Sequence, residues 1–159
     1  MTIRTLSTLA AILLPVALAA QQDARPSVPK IVFVCEHGSA KSVIAAKELE
    51  KLARERGIPV QAVARGTTPD PEIGPAVRQG LKADGIDVGG MTPVKVKSED
   101  LRNATMIVSF GPDLAAIAGN TRPEDWSATP AVSENYQAAR DYIVKRVQIL
   151  LDRLAAAKH

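Results

Sequence analysis

The residues best placed to do chemistry lie in one stretch, IVFVCEHGSAKS, at positions 31–42. Four apolar residues run into Cys35, the only cysteine, and a turn containing Gly38 follows before Lys41 and Ser42 open a long helical pattern. A thiol at the junction of a buried strand and a helix meets backbone N–H groups and the positive end of a helix dipole. Such an environment binds anions and lowers a thiol's pKa. The five residues between Cys35 and Lys41, namely Glu36, His37, Gly38, Ser39 and Ala40, suffice for a loop that curls over the helix start and aims several amides at one tetrahedral anion. Gly38 supplies the backbone freedom this needs. Lys41 adds positive charge, and the Ser42 hydroxyl can donate to the sulfur, which makes the thiol a nucleophile. The stretch reads as a cysteine-based site for a phosphate-like oxyanion.

Competing readings are weaker. A lone cysteine is often a small buried core residue, but Cys35 falls past the last apolar strand residue and ahead of a glycine turn. Aligning the nucleotide-binding pattern G-x-x-x-x-G-K-S/T on Lys41–Ser42 puts Cys35 and Ala40 where its glycines belong, so ATP or GTP binding is a poor explanation. The only other histidine besides His37 is the terminal His159, so neither a metal site nor a cofactor is expected. His37 itself reads as a solvent-facing loop residue or as an imidazole that tunes anion affinity. Arg65, just beyond a strand, either adds a cation to the site or pairs with a nearby acid.

The elements that must position these residues alternate along the chain. Strands are expected at Ile31–Val34, Val60–Ala64 and Met106–Phe110, from short apolar runs. Helices are expected at Ser42–Arg56, closed by Gly57, at Ile73–Ala83, closed by Gly85, and in short form from Ser98 and over Asp113–Ala118. Thr92–Lys97 reads as extended. Gly119–Val132 reads as a long loop, and Ser133 to about Ala157 as an amphipathic helix that Ser133 can cap. Strands alternating with helices imply right-handed crossovers and a parallel sheet covered on both faces. Ligands in such folds gather at the C-terminal strand ends, where Cys35 and Gly111 fall.

Over about residues 30–155 the chain resembles the low-molecular-weight protein tyrosine phosphatases and the arsenate reductases of the same fold. The likeness rests on the strand–Cys–five residues–basic–Ser loop, on Ala64–Thr67 after the second strand, on the Met106–Phe110 strand and on the long last helix. It implies a three-layer α/β sandwich with a four-stranded parallel sheet and a cysteinyl-phosphate intermediate on Cys35. Three departures stand out. Lys41 occupies the place of the family's arginine, whose planar fork grips two oxygens where an ammonium is a point charge. The family's loop asparagine is replaced in the His37–Gly38 pair, so one brace is missing. Thr129–Pro130 stands where the family carries the Asp-Pro of its general acid, and a threonine hydroxyl cannot serve near pH 7. Asp125, four residues upstream, is the candidate replacement. Trp126 is the one candidate aromatic wall for phosphotyrosine, although a loop residue packed on the core edge fits it better.

Composition and the N-terminus bound the rest. A hydrophobic share of 46% with only 3% aromatic residues calls for a core of Val, Ile, Leu and Ala. The formal net charge of +3 comes from interspersed charges without a polybasic block, so nucleic acid is not an expected partner. Arg4, the apolar Leu6–Leu18 and the small residues Ala17–Ala20 form a secretory signal over residues 1–20, followed by a flexible leader at 21–29 and one domain at 30–159. The apolar stretch is shorter than the roughly 20 residues a spanning helix needs, so no lasting membrane insertion is expected. The expected location is periplasmic or secreted, where a single cysteine allows no internal disulfide. Three functions fit: hydrolysis of a phosphomonoester through Cys35, arsenate reduction with an external thiol as partner, or an oxyanion-binding module without turnover.

Overall fold

The computed structural model describes residues 28–157. The expected signal at 1–20 and most of the expected leader, like His159, lie outside the described residues. In chain order the elements are β1 (Lys30–Cys35), α1 (Lys41–Glu55), β2 (Gln61–Gly66), α2 (Pro75–Ala83), α3 (Ser98–Arg102), β3 (Met106–Ser109), α4 (Ala115–Ala118), β4 (Glu124–Asp125) and α5 (Tyr136–Ala156). The four strands form one parallel sheet in the order β2-β1-β3-β4. β1 lies in the middle and is buried along nearly its whole length, as its unbroken apolar run requires.

Alternation along β1 divides the core into two layers. Ile31, Phe33 and Cys35 face one side, packed with α1, α2 and α5 through Ile44, Leu49, Leu81, Ile143 and Leu150. Val32 and Val34 face the other, against Leu101 of α3 and Leu114 and Ala118 beside α4. This is the expected three-layer sandwich with its four-stranded parallel sheet. Among the described residues, no helix is long and apolar enough to cross a membrane.

Several local expectations change. The Gly119–Val132 loop contains the fourth strand, two residues long, which is too short to show a period in sequence. The last helix is capped by Asn135, whose side chain accepts from the Ala138 N–H at 2.9 Å, and Ser133 lies ahead of it. The second helix starts at Pro75 rather than Ile73, because proline suits the first helical position. Thr92–Lys97 is extended, as expected, and lies along the end of β2: the Gly66 N–H donates to the Val94 carbonyl at 2.9 Å and the Val96 N–H to the Gly66 carbonyl at 2.8 Å.

Candidate active site

Cys35 is the last residue of β1, so its side chain hangs at the C-terminal edge of the sheet beneath the start of α1. Two groups approach the sulfur. The Gly38 N–H donates to Sγ at 3.2 Å, and the Ser42 hydroxyl lies 3.1 Å from it, wholly buried. No side chain caps α1, which leaves the N–H groups of its first turn free at the loop.

The loop owes its shape to the segment after β2. The carbonyls of Cys35, Glu36 and His37 accept from the N–H groups of Thr67, Thr68 and Asp70 at 3.1, 2.8 and 3.0 Å. In a trans peptide the C=O and the following N–H point opposite ways. Turning these three carbonyls toward that segment therefore turns the amides of Glu36, His37 and Gly38 away from it, and of these the Gly38 N–H reaches the sulfur. Gly38 has φ +63°, and a Cβ on it would lie 2.8 Å from the Gly66 nitrogen, whereas a Cβ on Gly66 would lie 2.6 Å from the Gly38 nitrogen. Gly38 is thus required by close approach and by conformation, and Gly66 by close approach alone.

The cleft above the sulfur has a volume of about 380 Å³. It is lined by the loop residues Cys35–His37 and Ser39–Lys41, by Asp70 after β2, and by Phe110 with Ala131–Ser133. Lys41 reaches across it, and its Nζ donates to the Thr129 carbonyl at 2.7 Å. Thr129 is buried with its hydroxyl and its N–H both turned to the Trp126 carbonyl, at 2.7 and 3.1 Å, so it is a turn residue whose hydroxyl is already committed.

Position decides three candidates, removing Asp125 and Arg65 from the site and leaving Trp126 in the core. Asp125 is the last residue of β4 and accepts from the Ser127 N–H at 2.8 Å, in a separate hollow beside Gly111–Ala115. Its bonds to Ser127 hold the carboxyl below the usual carboxylate range, the reverse of what a proton donor near neutral pH needs. Arg65 pairs in register with Val34, so it lies on the sheet face opposite Cys35. There its guanidinium donates to Asp100 at 2.9 Å and to its neighbour's carbonyl at 2.9 Å. Trp126 is no wall: it is fully buried, 5.7 Å from Phe33 and 5.8 Å from Phe110 between ring centroids, with the Arg146 guanidinium 5.0 Å above it.

One charged residue of the cleft escaped sequence reasoning, as did the apolar Phe110, Ala131 and Val132 with Ser133. Asp70 accepts from the Ser39 hydroxyl at 2.5 Å and lies 3.4 Å from His37 Nδ1. The signal available was its place just after a strand end, on the side where ligands gather.

The family model for low molecular weight phosphotyrosine protein phosphatase matches residues 30–125, from the strand that carries Cys35 to the end of the sheet. The chain belongs to this phosphatase family. Solved structures with the same fold include YfkJ from Bacillus subtilis, 19% identical with a TM-score of 0.73 over 85% of this chain and 99% of that one. A thioredoxin-dependent arsenate reductase from Corynebacterium glutamicum is 22% identical, with a TM-score of 0.70 over 82% of this chain and 63% of that one. YwlE arginine phosphatase from Geobacillus stearothermophilus is 20% identical, with a TM-score of 0.63 over 82% and 95%. At these identities the likeness is one of fold. Among curated proteins, no sequence matches the chain.

Proposed function

We propose that this protein is an exported phosphatase that hydrolyses a phosphomonoester through a cysteinyl-phosphate on Cys35. The observation that carries the reading is the sulfur itself, at the head of α1, met by the Gly38 N–H and the Ser42 hydroxyl at 3.2 and 3.1 Å. Those donors favour the thiolate as nucleophile, and the inward amides with Lys41 hold the equatorial phosphoryl oxygens. The sulfur–phosphorus bond forms as the ester oxygen leaves, and water then attacks phosphorus and returns the thiolate with inorganic phosphate.

The mouth supports a small or polar ester rather than phosphotyrosine. Trp126 is in the core, and the far wall is Ala131, Val132 and the largely buried Phe110. Export rests on the charged, apolar and small-residue pattern of residues 1–20.

A second reading, arsenate reduction, is favoured by Thr129, whose committed hydroxyl offers no proton to a leaving group. With Cys35 the only cysteine, this reading needs an external thiol as the electron source.

One set of assays separates the readings. Hydrolysis of 4-nitrophenyl phosphate should be abolished by Cys35→Ser and raised roughly tenfold by Lys41→Arg, which restores a planar fork to the anion. Arsenite formed from arsenate with added dithiol, without ester hydrolysis, would favour the reductase. No turnover, with phosphate still protecting Cys35 from alkylation, would leave a binding module.

A further inference from the structure

We propose that His37, positioned by Asp70, is the proton donor to the leaving oxygen, an inference that rests on the phosphatase reading above. The reaction needs an acid at the mouth of the cleft, because the ester oxygen departs in line with and away from Cys35 Sγ. The place of the family's acid is held by Thr129, whose hydroxyl is bonded to the Trp126 carbonyl, and Asp125 opens into another hollow. His37 and Asp70 both line the cleft that holds Cys35.

Asp70 is fastened from two sides. Its N–H donates to the His37 carbonyl at 3.0 Å, and one carboxylate oxygen accepts from the buried Ser39 hydroxyl at 2.5 Å. The other oxygen lies 3.4 Å from His37 Nδ1. A carboxylate at Nδ1 orients an imidazole and leaves Nε2 to exchange protons with substrate. The charged groups around the ring are Glu36, 3.9 Å from Nε2, Asp70 at Nδ1, and Lys41 and Cys35 across the cleft. Glu36 is the more exposed of the two carboxylates and has no hydroxyl to hold it.

The step balances. Sγ bonds to phosphorus, the phosphorus–oxygen bond breaks, and the proton on His37 Nε2 passes to the departing oxygen. The neutral imidazole then takes a proton from the water that attacks the cysteinyl-phosphate, and the sulfur–phosphorus bond breaks to return the thiolate. His37 is the catalytic residue and Asp70 the positioning residue.

The test compares full-length protein and its His37→Gln, Asp70→Asn and Glu36→Gln variants on two esters. 4-Nitrophenyl phosphate has a leaving group that departs without a proton, and phenyl phosphate has one that needs it. His37→Gln should lower kcat/KM on phenyl phosphate on the order of 10²-fold, at least about tenfold more than on 4-nitrophenyl phosphate. Asp70→Asn should show the same leaving-group dependence at smaller size. A His37→Gln loss that is equal for both esters, or absent, overturns the proposal while Cys35-dependent turnover keeps the phosphatase reading alive. So does a leaving-group-dependent loss in Glu36→Gln instead. Absence of Cys35-dependent turnover of either ester in the unaltered protein ends both. Because His37 and Glu36 are exposed side chains, their variants should fold.

Discussion

At Cys35 the chemistry depends on which atoms face the sulfur. The Ser42 hydroxyl is seven residues away along the chain and could be anticipated, whereas the Gly38 N–H is fixed by a loop whose three carbonyls are drawn outward by Thr67, Thr68 and Asp70. Lys41 keeps a positive charge in the cleft while spending one donor on the Thr129 carbonyl. Arg65 shows the opposite outcome, a cation near the site in sequence and on the wrong face of the sheet in space. Its partner Asp100 also accepts from the Lys97 N–H at 3.0 Å, which fastens α3 to the end of β2. Burial raises the Asp100 carboxyl, but the Arg65 guanidinium and the Lys97 N–H outweigh it and hold it below the usual carboxylate range. A depressed carboxyl contributes stability above its unfolded value near pH 4, and that contribution is lost as pH falls through the folded value. Asp100→Asn should therefore cost about 1–3 kcal/mol at neutral pH, between the ranges for exposed and buried pairs. It should also flatten the acid side of a plot of stability against pH, measured by urea unfolding; an unchanged acid slope would sink the assignment.

Among the elements, the helix after Cys35 and the central strand before it were legible because each carries a strong period or an unbroken apolar run. β4 was not, since two residues show no alternation; only pairing with Val108 and Ser109 makes them a strand. The contact between the Cys35 loop and the end of β2 was equally silent, because it joins two glycines whose mutual distance is a tertiary fact. Gly66→Ala should force the two segments apart, at a cost of about 1–3 kcal/mol for overpacking. The loop amides would then lose their inward aim, so phosphate should no longer slow alkylation of Cys35 by iodoacetamide. Retained protection would mean that the close approach is not what shapes the cradle.

For the molecule as a whole, the alternation of strands and helices foretold three layers and a parallel sheet, and it placed the reactive end at the C-terminal edge of the strands. If residues 1–20 are an export signal, the secreted or periplasmic chain begins near Gln21, and N-terminal sequencing of the exported protein checks this. An exported chain that still begins at Met1 would count against it.

The amino-acid order by itself determined the candidate nucleophile, its loop and the sandwich that carries them, because each is written in neighbours along the chain: apolar runs, helical spacing, a cysteine at a strand end. Tertiary structure alone decided which distant groups join that loop. It brought Asp70 to His37, closed Gly38 on Gly66, sent Arg65 to Asp100 and buried Trp126. The physical reason is that side-chain facing follows strand register and packing, and a shift of one residue exchanges the two faces of a sheet. Charge and polarity read from the sequence therefore name the candidates, while the fold chooses among them.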